Sequence, residues 1–381
     1  MPPRRDAPAG PEILAAATRG APVALGHDWL TGMRGGERVL ECLCQAFPSA
    51  PISTLVCNPD VVSELIRSHP VRTSFLNRLP GIDRHYRKFL PLMPLAARTL
   101  PRPDAKLLIT TSHCVAKGFR KPVGGRHLCI CFTPMRYAWT FFEEYFGRSP
   151  VKAALVKPLL AYLRRWDRRT AAEVDVFVAI SHHVADRIQR FYGRNSEIVY
   201  PAVDTDRCTP APDGACRGDY DLIVSALVPY KRIDLAVELY SRKGWPLKIV
   251  GAGGCTDALR RAAGPSVEIL GRLPDEAVLD LYRNCRLLVF PGEEDYGIVP
   301  LEAQACGRPV VAYAKGGALE TVADGVSGVF FSEQTPESLE DAVIRCAEAK
   351  FDPVAVRGNA LRFGPGQFFE GMAACVEKAL A

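Results

Sequence analysis

Two glutamates with seven residues between them, Glu294 and Glu302, stand where an apolar run gives way to a helix. A helix start offers unpaired backbone N–H groups and the positive end of the dipole, so an anion such as a diphosphate can sit there. Carboxylates repel phosphate and suit hydroxyls. An acid pair beside an anion site therefore reads as a nucleotide-sugar pocket, one acid for the ribose and one for the transferred sugar. A helix start merely capped by acids is the other reading of the same spacing.

The elements around this pair follow from the stretch LLVFPGEEDYGIVPLEAQACGRPVVAY. Leu287 to Phe290 is a continuous apolar run, the pattern of a strand buried on both faces. Pro291-Gly292 ends it, and Glu293 to Ile298 forms a loop. Pro300 suits the first helical position, which places Glu302 in the first turn. Gly307 and Pro309 stop the helix, and Val310 to Tyr313 is the next strand.

The spacing of Glu294 and Glu302 resembles the E-x7-E signature of retaining GT-B glycosyltransferases. EDYGIVPLEAQACGRPVV is similar to the EGFG-LxxLEAMACGxPVV block of glycosyltransferase family 4. The resemblance implies an α/β fold of GT-B type: two Rossmann-like doubly wound domains facing across a cleft, the donor mainly on the C-terminal one. It implies that Lys231 neutralises the donor diphosphate. The arginine usual five residues earlier is absent, Ala226 standing there, and Arg232 would compensate. Glu302 would hold the ribose, and Glu294 would orient the transferred sugar. Tyr296, Gly297, Ile298 and Val299 would meet the donor at the helix start. Gly271 and Arg272 would hold the base, with Ser225 and Gly251 also on the donor side. No metal and no cofactor beyond the nucleotide-sugar co-substrate is implied. A front-face route, in which the leaving phosphate takes the acceptor proton, is the family's usual proposal.

The N-terminal half carries a second set. Pro22 to Trp29 reads as a strand ending at His27-Asp28, followed by a loop with Gly32, Gly35 and Gly36 and an apolar-periodic helix from Arg38 to Phe47. Strand, glycine loop, helix opens a doubly wound sheet, and ligands bind at such loops. HDWLTGMRGGERVLE and TPMRYAW resemble the WbaZ-like bacterial mannosyltransferase branch of family 4. That branch implies GDP-mannose as donor, with a UDP-sugar as alternative. The acceptor would be a saccharide or lipid-linked saccharide in polysaccharide assembly, met by His27, Asp28, Gly35, Gly36 and Arg136. Phe132 departs from a histidine common near the transferred sugar, and Thr140 from an Asp. A nucleotide-sugar-binding protein without transferase activity is the rival reading.

The remaining observations set bounds. A chain of 381 residues calls for two domains. The net charge of +6 permits contact with phosphates or an anionic membrane and does not demand nucleic acid. The thirteen cysteines include no C-x2-C pair, which reads as free thiols in a reducing cytosol. No apolar run is long enough to span a membrane. Arg84 to Arg102 is basic and apolar with no acid, and reads as a contact with an anionic membrane surface through Phe89, Leu92 or Met93. A core-packed segment with a basic face is the alternative. Residues 1–20 read as a disordered tail, 21–203 as the acceptor domain, 204–219 as a linker, 220–365 as the donor domain and 366–381 as a helix returning to the first domain. Further strands are expected at 52–58, 107–112, 127–132, 176–181, 220–225, 247–251, 267–270 and 325–331. Helices are expected at 151–170, 184–191, 275–284 and 336–349. His182-His183 read as cap-region residues rather than metal ligands.

Overall fold

The computed structural model describes residues 10–139, 150–212 and 218–381. Thr140, where the sequence departs from its resemblance, lies outside them. The chain forms two compact units: one takes the N-terminal portion to Pro201 together with 366–381, and the other is Ala202–Pro365.

The first unit is a seven-stranded parallel sheet: β1 (Val23–His27), β2 (Ile52–Thr54), β3 (Val71–Thr73), β4 (Leu107–Ser112), β5 (Arg126–Cys131), β6 (Val176–Ala179) and β7 (Glu197–Ile198), in the order β3-β2-β1-β4-β5-β6-β7. The second is a six-stranded sheet: β8 (Asp221–Val224), β9 (Leu247–Val250), β10 (Val267–Gly271), β11 (Leu288–Phe290), β12 (Val310–Tyr313) and β13 (Gly328–Phe331), in the order β10-β9-β8-β11-β12-β13. Parallel strands need helical crossovers, which cover both faces; β4 is accordingly buried at all six positions. In each sheet the winding reverses once, between β1 and β4 and between β8 and β11. Such reversals leave a crevice beyond the carboxyl ends of the strands, where ligands bind in doubly wound folds.

Several expectations need correction. Residues 10–20 are not a disordered tail: Pro11–Ala17 is a helix with Leu14 and Ala17 buried. Phe369, from the helix Pro365–Leu380, packs beside Gly10. The stretch after Val203 is no free linker over its described part. Arg357 donates to the carbonyls of Thr205 and Cys208 at 2.9 and 2.7 Å, fastening it to the second unit. The strand at 52–58 is regular only over Ile52–Thr54, with a single parallel bridge beyond it between Leu30 and Cys57. A further helix, Pro353–Leu361, was not foreseen.

The basic run divides. Tyr86, Leu90 and Met93 are core residues of the first unit, and Phe89 packs against the same core. Arg98 grips Glu173 through two bonds of 2.8 and 2.6 Å. Arg84, Arg87, Lys88, Leu92 and Leu95 stay exposed. Met93, 1% exposed, is therefore no membrane anchor. At Ser181 the side chain accepts from Val184 N–H at 3.1 Å, so His182 and His183 open a capped helix.

Candidate active site

In the second unit the loop after β8 carries Lys231 and the loop after β11 carries Glu294, so the two residues meet across the sheet's reversal. Lys231 Nζ and the Glu294 carboxylate form an ion pair, with the side chains 11% and 21% exposed. The backbones touch as well. A Cβ on Gly292 would stand 2.8 Å from Lys231 Cα and 3.0 Å from its carbonyl oxygen, so only glycine fits there. The Glu294 carbonyl accepts from Gly317 N–H at 2.8 Å, fixing the loop from its other side.

Arg232, next to Lys231, adopts a left-handed conformation with φ 51°. Such a turn is uncommon for a side-chain-bearing residue and marks a locally imposed geometry. Its guanidinium bonds Asp234 and, at 3.3 Å, Gln334, which itself donates to Pro291 O at 2.9 Å. Arg232 thus braces the turn that carries Lys231 against the end of β11.

The helix after the loop is Ile298–Ala305, with Gly297 at φ 98° before it. It begins two residues ahead of Pro300, which is its third residue rather than its first. The missing N–H still falls in the turn that lacks intrahelical acceptors. Glu302 is therefore in the second turn, where the buried Tyr282 hydroxyl donates to it at 2.9 Å. Tyr296 buries its ring against Phe363. What it can offer a ligand is backbone, as Gly297, Ile298 and Val299 can at the helix start.

Ser225, Gly251 and Gly271 are brought together at the ends of β8, β9 and β10. A Cβ on Gly251 would lie 1.8 Å from Ser225 O, and Gly251 N–H donates to Gly271 O at 2.7 Å. Gly271 is left-handed at φ 73°, and Arg272 beyond it is exposed.

The first unit's candidates behave differently. His27 is buried and its Nδ1 lies 2.7 Å from Thr111 Oγ. Burial lowers its pKa. Asp28 is wholly buried and takes four backbone N–H bonds, from His113, Cys114, Val115 and Ala116 at 2.6–2.9 Å. Burial pushes this carboxyl up; the charge and hydrogen bonds of His113 overcome that and hold it well below the usual carboxylate range. Neither His27 nor Asp28 can touch an acceptor directly, because no face of either reaches the surface. Gly35 and Gly36 open the helix Gly35–Ala46 instead of forming a free loop. A Cβ on Gly36 would meet the Phe132 ring at 3.1 Å. Arg136 begins the short helix Arg136–Trp139 and is half-buried.

Sequence reasoning missed His113, which follows β4. Its Nδ1 stands 3.0 Å from Asp28 Oδ2, and its side chain is 31% exposed. The signal was available only in part: LLITTSHC shows a strand running into a histidine, but not that Asp28 waits beside it.

Two family models match the chain, Glycosyltransferase Family 4 over residues 33–207 and Glycosyl transferases group 1 over 219–360. Among curated proteins, a D-inositol 3-phosphate glycosyltransferase of Geodermatophilus obscurus is 34% identical over 46% of this chain and 46% of its own length. A GDP-mannose-dependent alpha-(1-6)-phosphatidylinositol monomannoside mannosyltransferase of Mycolicibacterium smegmatis is 32% identical over 46% of this chain and 54% of its own. The chain spans about half the length of the curated relatives it matches. Among solved structures, Anabaena HepE in complex with UDP superposes with a TM-score of 0.66 at 17% identity, covering 92% of this chain and 98% of that one. The lipopolysaccharide outer core galactosyltransferase WaaB superposes at 0.61 and 16% identity, covering 93% and 98%. At such identities the likeness is one of fold.

Proposed function

We propose that the chain, which has the GT-B fold, is a family 4 glycosyltransferase that moves mannose from GDP-mannose to a saccharide hydroxyl with retention at the anomeric carbon. The observation that carries this reading is the Lys231–Glu294 pair across the β8/β11 reversal, beside the helix start at Ile298. Departure of a nucleoside diphosphate builds negative charge. Lys231, the braced Arg232 and the N–H groups of residues 297–299 are placed to stabilise it, a preorganised electrostatic term. An arriving diphosphate competes with Glu294 for Lys231 and so releases the carboxylate toward the sugar hydroxyls. Glu302, oriented by Tyr282, takes the ribose. Gly251, Gly271 and Ser225 line the nucleotide through backbone groups.

The acceptor in this reading is lipid-linked and reached at the cytoplasmic face of a membrane. The exposed Arg84, Arg87, Lys88, Leu92 and Leu95 suit an anionic surface. No helix among the described residues is long and apolar enough to cross a membrane.

The test is calorimetry with GDP and UDP, followed by transfer assays with GDP-mannose. GDP should bind the more tightly; the reverse order would replace the donor with a UDP-sugar. Absence of binding by both would remove the function.

A further inference from the structure

In the second unit the loops that leave β8, β11 and β13 are tied together by a half-buried side chain, Gln334, which follows β13. Its amide oxygen accepts from Arg232 Nη1 at 3.3 Å, and its Nε2 donates to Pro291 O at 2.9 Å. We propose, resting on the transferase reading above, that Gln334 is a positioning residue for the reaction. It holds the turn that carries Lys231 in register with the loop that carries Glu294.

The residue type fits the task. A guanidinium only donates and a backbone carbonyl only accepts, so a bridge between them needs one acceptor and one donor at the same end. A carboxamide supplies both. A carboxylate has no donor for Pro291 O, and an ammonium has no acceptor for Arg232. The same two partners fix which way the amide faces. Gln334 also stands on a firm base. Thr335 beside it caps the helix Pro336–Glu348, its hydroxyl accepting from Ser338 N–H at 3.2 Å. Leu339, Ala342 and Val343 bury that helix in the core of the unit.

The turn it steadies needs an outside hold. Arg232 is left-handed at φ 51°, a conformation that costs a side-chain-bearing residue free energy and persists where the surroundings impose it. Asp234 takes Nε and Nη2 of the guanidinium at 3.3 Å, but it belongs to the helix that the turn opens and can move with it. Gln334 instead refers the turn to the end of β11, in the loop that leads to Glu294. Charge on a departing diphosphate is best stabilised by groups that need no rearrangement at that moment. A Lys231 held in place therefore acts chiefly on kcat. Gln334 works through Arg232 and Pro291 and is not itself a catalytic residue.

Two arms test this. Gln334→Met keeps the length of the side chain and loses both bonds. In the ligand-free protein it should speed hydrogen–deuterium exchange at the Lys231 and Arg232 N–H groups, which donate to Val228 O and Pro229 O, by about tenfold, with the amides of β8 unchanged. In hydrolysis of GDP-mannose, or of UDP-glucose if UDP binds the more tightly, kcat should fall by about 10–10²-fold while nucleotide affinity stays within about threefold. Gln334→Glu, which keeps an acceptor for Arg232 but cannot donate to Pro291 O, should show the same split and serves if the Met variant misfolds. Joined to Arg232→Met, Q334M should lower kcat far less than the product of the two single losses. Wild-type kcat in Q334M, single losses that multiply, or unchanged exchange each overturn the proposal. If neither nucleotide binds, the transferase reading fails on its own, and the exchange arm still judges the link.

Discussion

Glu294 has two partners in this reading, Lys231 now and a sugar hydroxyl during turnover, and one substitution separates them. Glu294→Gln keeps shape and hydrogen bonding but removes charge. We expect kcat/KM to fall by about 2–4 kcal/mol, and GDP to bind as tightly or more so, because Lys231 no longer shares its charge. Steady-state kinetics with calorimetry on the same variant checks both; a carboxylate that only caps a helix would move neither. A second residue-scale expectation concerns stability. His127 is buried against Thr110, and burial lowers its pKa to about 4. The folded protein resists a proton that the unfolded chain accepts below about pH 6.5. This contribution is complete above that pH and is lost as pH falls toward 4, at up to about 1.4 kcal/mol per unit. Urea unfolding from pH 7 to 4 should show the slope, and His127→Gln should flatten it. The loop and helix that carry Glu294 and Glu302 were legible in the sequence because glycines and a proline mark their ends locally, whereas Lys231 was singled out only by resemblance. His113 was not legible, because its meaning comes from Asp28, 85 residues earlier, and pairing at that separation leaves no local pattern. For the same reason Asp28 looked like a surface ligand when it is an internal anchor.

At the scale of elements, the active loops are set by contact between backbones. Gly292 separates β11 from Glu294 and lies against Lys231. Gly292→Ala should force these loops apart at a cost of about 1–3 kcal/mol. Transfer should suffer more than the melting temperature, which paired kinetics and thermal unfolding will show. The buried strands were readable as continuous apolar runs, since a parallel sheet covered on both faces permits little else. Their ends were less so: Val56 and Cys57 are as apolar as a strand, yet Leu30 and Asn77 take their backbone groups. The helix Pro11–Ala17 was hidden by the proline-rich residues before it. Its stability comes from burying Leu14, a tertiary effect that composition does not carry. Pro300 misled by two residues because proline is tolerated throughout the first turn, not only at its first position.

At the scale of the whole molecule, surface and connectivity make separate predictions. In liposome co-sedimentation, joint charge reversal of Arg84, Arg87 and Lys88 should abolish the salt-sensitive part of binding to anionic vesicles. Changing Leu92 and Leu95 to Asp should remove the salt-resistant part. Wild-type protein that ignores such vesicles at low salt would leave the acceptor to be sought among soluble saccharides. The helix Pro365–Leu380 buries Phe368, Phe369, Met372 and Val376 in the first unit. Phe369→Ala should destabilise that unit by about 3–5 kcal/mol, measured by urea unfolding. This connectivity also has a consequence during synthesis. In the order of the chain, the second unit is an uninterrupted run between two pieces of the first, whose later piece, 366–381, is made after it. Domains commonly mature in the order they leave the ribosome. Here the later-coded unit can finish first, while the earlier one waits through the whole translation of its neighbour with the pocket for Phe368 and Phe369 unfilled. A nascent chain halted just short of Gly366 would therefore expose its chaperone-binding surface in the half that was made first.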